Sequence, residues 1–171
     1  MKKLIVAAAI AMLGIAVQAA TVNWSVVNVQ SSPDNAVAAG WIVQVFDSAT
    51  TFDYAKAASG DITAWVQGAT VAAGTSFRAN GSTTMDNGTS KDVYAVIYDA
   101  TSIADAKNYI VSDVLSLTAN AAGSPVSAAF GSMTAANSKF AGASWTAVPE
   151  PTSGLLMLLG MAGLALRRRR A

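Results

Sequence analysis

The chain has 171 residues, 53% of them hydrophobic and 12% charged, with a formal net charge of +1 and neither Cys nor His. That length fits one domain of ordinary size. The two missing residue types exclude a disulfide scaffold, a thiol nucleophile, Cys- or His-ligated zinc and a Ser-His-Asp triad.

Charge is placed unevenly. Lys2, Lys3 and Arg167 to Arg170 supply six of the eleven basic residues, while residues 20–148 hold five Lys/Arg against nine Asp, a net of −4. An acidic middle without clustered Lys/Arg argues against nucleic acid as a partner, because phosphates need clustered cations. The amino end reads Met1-Lys2-Lys3, an uncharged run from Leu4 to Val17, then Gln18-Ala19-Ala20. This is the basic, apolar and small-residue order of a secretory signal peptide. Val17 and Ala19 fill the two small-side-chain positions, so cleavage is expected after Ala19, with residues 1–19 removed. The run is shorter than the roughly 20 residues a stable span needs. The expected partners at this end are the secretion machinery and a signal peptidase.

Residues 20–147 are expected to form the exported globular domain. All four Trp, four Tyr and five Phe lie in residues 20–148, enough large rings for a core. Val22 to Val26 alternates apolar and polar residues, as a half-buried strand does. Ser31 to Asn35 reads as a loop, and Trp41 to Phe46 as a central strand. Thr50 to Asp53 offers a helix cap with an acidic third residue. Asp61 offers a second cap, before a segment in which Ile62, Trp65, Val66 and Ala69 share a helical face and which Gly74 can end. Asn80-Gly81 and Asn87-Gly88 read as loops, and Val93 to Tyr98 as a second central strand. Tyr109 to Thr118 reads as one long strand, with Val111, Leu115 and Leu117 on one face and Ile110 and Val114 on the other. Ala122 to Pro125 is a loop, and Val126 to Phe130 and Ser144 to Val148 are weaker strands.

A faint repeat links Val45-Phe46-Asp47 to Ile97-Tyr98-Asp99, each followed by a short capped helix. The pattern predicts a mainly-β, sandwich-like domain with short inserted helices, flanked by an amino-terminal signal helix and a short carboxyl-terminal membrane helix. A mixed α+β domain is the alternative.

Asp alone is left in the middle for acid–base chemistry. Asp47, Asp99 and Asp113 lie at or within strands, Asp53 and Asp105 in helix starts and Asp61 at a cap, so no catalytic residue is assigned. No GxSxG, SxxK or phosphate-loop pattern occurs. Asp86 to Asp92 places oxygen ligands around a Gly turn but lacks the spacing of a calcium loop, so it reads as a solvated hairpin turn. No metal or cofactor is expected. Trp41, Tyr94 and Tyr98 fall in apolar runs, whereas Trp24, Trp65 and Trp145 remain for a sugar-stacking face.

The carboxyl end is a second address. Val148 to Ser153, holding Pro149 and Pro151, is expected to be an extended, exposed stalk, because proline lacks an N–H and holds its predecessor extended. Residues 154–166 carry no polar side chain, and residues 167–171 form a basic tail. A helix of that length is about 20 Å long, against a hydrocarbon core of about 30 Å. Arg167, Arg168, Arg169 and Arg170 fix its orientation, since basic flanks stay cytoplasmic.

Val148-Pro149-Glu150-Pro151, the short apolar segment and the terminal arginines together resemble a PEP-CTERM sorting signal over residues 148–171. The resemblance implies a bacterial host, often one that makes exopolysaccharide. It also implies recognition of Pro149, Glu150 and Pro151 by exosortase, a membrane-embedded Cys-dependent enzyme. The expected protein is a non-enzymatic cell-surface or extracellular-matrix protein whose precursor sits in the inner membrane. The alternatives are a secreted polysaccharide-binding module, with extracellular polysaccharide as partner, and an Asp-dependent hydrolase.

Overall fold

The structure is a computed structural model that describes residues 19–74 and 76–149. The expectations for Val17, for the signal helix, for Glu150, Pro151 and the membrane segment, and for Arg167 to Arg170 therefore lie outside the described residues. Among the described residues no helix is long and apolar enough to cross a membrane.

In chain order the elements are β1 (Ala19–Val27), β2 (Ile42–Asp47), α1 (Tyr54–Ser59), β3 (Val66–Thr70), β4 (Ala79–Asp86), β5 (Ser90–Tyr98), a 3-10 turn (Ile103–Asp105), β6 (Asn108–Val111), β7 (Leu115–Thr118), β8 (Val126–Ser132) and β9 (Thr146–Ala147). They form two sheets, a three-stranded one ordered β4-β1-β8 and a six-stranded one ordered β3-β2-β5-β6-β9, with β7 also paired to β5. The mainly-β expectation with short inserted helices therefore holds.

Burial follows the sequence pattern. In β1 the alternation turns Ala20, Val22, Trp24 and Val26 inward, as period-2 geometry requires. They meet Val43 and Val45 of β2 and Val93, Ala95 and Ile97 of β5 in one core between the sheets. The other face of β2 and β5 is also covered: Phe46, Tyr94, Val96 and Tyr98 pack with Phe52, Tyr54, Ile103 and Tyr109 beneath α1 and the 3-10 turn. Covering on both faces is why these two strands read as continuous apolar runs.

Five local expectations are corrected. The segment after Asp61 is no helix: Val66 to Thr70 is β3, antiparallel to β2. Its helical spacing was coincidental: Val66 and Ala69 pack on the core from an edge strand, and Trp65 does so from just before it. The cap of α1 is Asp53 itself, whose side chain accepts from the Lys56 N–H at 3.1 Å.

Asn80-Gly81 lies inside β4, with Gly81 opposite Trp24. The Asp86–Ser90 turn closes no hairpin, because β4 pairs with β1 while β5 pairs with β2, β6 and β7; the turn carries the chain from one sheet to the other.

The expected strand from Tyr109 to Thr118 is broken into β6 and β7. Both pair with β5, but Val96 faces Val111 and Val93 faces Leu115, so one extra residue is inserted between them. Ser112 bridges the gap: its N–H donates to the Ala95 carbonyl and its hydroxyl accepts the Ala95 N–H, both at 2.9 Å. An extra residue flips the following side chains to the other face. Ile110 therefore joins Leu115 and Leu117 in the inter-sheet core, Val111 goes to the aromatic side, and Val114 is left 46% exposed.

Candidate functional site

The two halves of the faint repeat lie side by side, on β2 and β5, which are antiparallel neighbours. Their helical followers also meet, the Tyr54 hydroxyl donating to the Ile103 carbonyl. Their aspartates have diverged. Asp47 is half-buried at the surface and pairs with Lys91, which with the Ala49 N–H holds its carboxyl below the ordinary range. The Lys91 ammonium also sits 5.6 Å from the centre of the Trp65 ring, a cation–π distance.

Asp99 is only 2% exposed and sits in a polar node. One carboxylate oxygen accepts from the Ser32 hydroxyl at 2.6 Å, Asn35 Nδ2 at 3.0 Å and Asn108 Nδ2 at 2.9 Å. The other accepts the backbone N–H groups of Lys107 and Asn108, each at 2.9 Å. Burial pushes this carboxyl up, but the hydrogen bonds from Ser32, Asn108 and Asn35 outweigh it and leave it below the ordinary value. Asn108 Nδ2 also reaches Asp34 at 2.8 Å. The node is saturated by protein donors and fixes the loop after β1 and the start of β6. No spacing in the sequence joins Ser32, Asn35, Asp99 and Asn108; the only signal was an Asp following an apolar strand and a loop rich in Ser and Asn.

Of the rings considered for a sugar face, Trp24 is turned inward and Trp145 is half-buried, while half-buried Trp65 packs on the core and lines a shallow surface hollow with Thr84, Ser90 and Lys91. Trp24 is 1% exposed and meets Phe130 edge-on at 6.2 Å. Its indole N–H is buried and has no hydrogen-bond partner. Trp41 is buried against half-buried Trp145 at 5.8 Å. The tyrosines beneath α1 are also tied down: the Tyr98 hydroxyl donates to Gln44 at 2.9 Å and the Tyr94 hydroxyl to the Thr50 carbonyl at 2.7 Å, and burial raises both phenols.

The outer face of the three-stranded sheet is also open. A shallow hollow of about 420 Å³ there is lined by the polar side chains of Asn23, Ser25, Asn80, Ser82 and Ser127. In the Asp86–Asp92 segment, Asp92 accepts from the Ser116 hydroxyl and Asp86 uses its backbone carbonyl to hold Thr89. Among the described residues no three acidic or other metal-ligating side chains come together.

The remaining element is the exit of the tail. β9 pairs antiparallel with β6, Asn108 opposite Ala147 and Tyr109 opposite Thr146. The Val148 N–H then donates to the Lys107 carbonyl at 2.7 Å, and the Val148 side chain packs on the aromatic cluster. Val148, expected in an exposed stalk, thus packs on the domain instead, and Pro149 after it is exposed. At the other end Ala19, the residue before the expected cleavage, is exposed and opposite Asp86, while Ala20 is fully buried.

Residues 147–170 match the family model of the PEP-CTERM protein-sorting motif. The chain carries a PEP-CTERM sorting signal. The match starts at the last residue of β9, so the signal adjoins the folded domain with no intervening linker. Pro149, Glu150, Pro151 and Arg167 to Arg170 all fall within it. Comparison of the chain with curated proteins and with solved structures gave no match. A PEP-CTERM signal speaks of export, of sorting and of an exosortase as processing partner; it brings no activity to residues 20–147.

Proposed function

We propose that this is a non-catalytic protein of the cell surface or extracellular matrix, exported by its amino-terminal signal and processed at its PEP-CTERM segment. The carrying observation is the sorting motif joined directly to the last strand of a β domain. In this reading residues 154–166 hold the precursor in the inner membrane, and the arginines keep the tail from passing through. Each charge at mid-bilayer costs about 2.5–3.5 kcal/mol on insertion scales. Support for a non-catalytic domain comes from the aspartates. Asp34, Asp47, Asp53, Asp61, Asp92 and Asp99 each accept a hydrogen bond from a neighbour in the domain. Asp34 and Asp99 share a donor, the Asn108 side-chain amide, and Asp99 is 2% exposed, so this node reads as structural.

Replacing Pro149, Glu150 and Pro151 with Ala tests this reading. Uncleaved precursor should collect in the membrane fraction; release of normally trimmed protein would contradict it. Arg167 to Arg170 changed to Ser should instead let full-length precursor escape into the medium.

A second reading, polysaccharide binding, is favoured by the hollow lined by Asn23, Asn80 and the serines. It would bind through amides and hydroxyls, without stacked rings. Retention on immobilised polysaccharide that is lost in Asn23→Ala with Asn80→Ala would establish it, and no retention would remove it.

A further inference from the structure

The chain is held unequally on the two sides of β9. Before it, the Trp145 ring meets Trp41 edge-on at 5.8 Å and packs against the inter-sheet core. Such pairs add about 0.5–1.5 kcal/mol beyond the area they bury. β9 itself has two residues, both exposed, at the rim of the six-stranded sheet. After it comes one backbone hydrogen bond, from Val148 to Lys107, and then Pro149, which has no N–H to continue a ladder.

Chain length gives this arrangement a consequence. Residues 149–153 are all that separate the last held residue from Gly154, where the apolar segment starts. Five residues reach at most about 17 Å when fully extended, and the headgroup layer occupies about 5–8 Å of that. The Pro-Glu-Pro motif sits inside this short span, pinned between a folded sheet and a bilayer. Any enzyme that acts on a backbone must surround an extended peptide on both sides of its motif. Freed back to Trp145, the stalk would have eight residues and a reach of about 27 Å.

We infer that β9 is a releasable strap. Thr146 to Val148 leave β6 when the sorting enzyme takes the motif, and the Trp145–Trp41 contact stops the release there. The inference rests on the reading of the tail as a membrane-held signal that is processed. Its energetic basis is that an exposed two-residue edge strand lies at the low end of local opening free energies. Val148 is the single side chain that must leave a packed cluster. β6 does not follow, because the Asp99 carboxylate holds the N–H groups of Lys107 and Asn108 from the other side.

A staple tests the strap, and the absence of Cys gives a clean background. Lys107→Cys with Val148→Cys joins the two residues of one backbone hydrogen bond. The β6–β9 register places Lys107 directly opposite Val148, and opposite antiparallel residues have Cα atoms about 4.5–5.5 Å apart, inside the range of about 4.4–6.8 Å that a disulfide bridges. Full-length precursors are expressed in an exporting host with and without an exosortase, and the trimmed fraction is followed by intact mass. Trimming of the unaltered precursor only when the enzyme is present establishes the processing reading independently; no trimming overturns that reading and the strap with it.

Given trimming, the stapled precursor should be processed about tenfold more slowly, or worse, than V148C alone. Inserting about three Gly/Ser residues after position 148 of the stapled chain should restore the rate, since flexible residues supply the missing reach. Processing of the stapled chain at the V148C rate would overturn the strap, and so would an insertion that fails to rescue.

Discussion

Gly81 lies directly across the β1–β4 ladder from Trp24, and a Cβ placed on it would stand 2.3 Å from Trp24 Cζ2. The indole therefore lies flat over the glycine, filling the space that a side chain would take. The ring cannot swing away, because it is 1% exposed and packed edge-on against Phe130. Gly81→Ala should destabilise the domain by about 1–3 kcal/mol, the usual cost of overpacking a core. Gly81→Val should cost more. Urea unfolding followed by Trp fluorescence measures this, and an unchanged midpoint in Gly81→Ala would mean that the ring has another place to go.

Asp99 makes stability depend on acid. Its folded carboxyl sits below its ordinary value, so its contribution is complete above the unfolded pKa of about 3.9 and is lost as pH falls through the folded value. Asp99→Asn should remove this component and flatten the acid limb of a stability–pH curve. Asp99→Ala should cost about 3 kcal/mol or more at neutral pH, because several buried donors lose their acceptor at about 1–3 kcal/mol each. Thermal melts between pH 3 and pH 7 decide; parallel curves for the unaltered protein and Asp99→Asn would show that the node does not titrate with folding.

The domain should fold without a metal ion. Its core joins both sheets through Trp24, Phe130, Ile97 and Leu117, and no disulfide is available to it. Residues 20–148 should give the same β-type circular dichroism before and after a chelator. Loss of structure on chelation would return the Asp86–Asp92 segment to consideration as a calcium loop.

How much of this was legible in the sequence depended on whether a residue answers to its neighbours along the chain or across it. The alternation around Trp24 and the apolar runs of β2 and β5 state their burial locally, and the structure agrees. Gly81 reads locally as a turn residue, yet it is placed in mid-strand by a ring on another strand. Val66 and Ala69 carry helical spacing, but pairing with β2 overrides it. The bulge at Ser112 is invisible in a hydrophobic pattern, since one inserted residue leaves an apolar run looking continuous while reversing its faces. The Asp99 node gathers residues from three distant segments, which spacing within one segment cannot reveal. The sorting signal was readable because such a signal is linear: its residues act in chain order and need no tertiary partner.

The central claim is that the exported domain reaches its destination by losing the segment that follows β9. The most direct measurement is the intact mass of the protein recovered from the cell surface, in hosts with and without an exosortase. With the enzyme, the mass should correspond to a chain that starts at Ala20 and lacks residues 154–171; without it, the tail should remain and the protein should stay in the membrane fraction. Surface protein that keeps residues 154–171 when the enzyme is present would contradict the account and make that segment a permanent anchor.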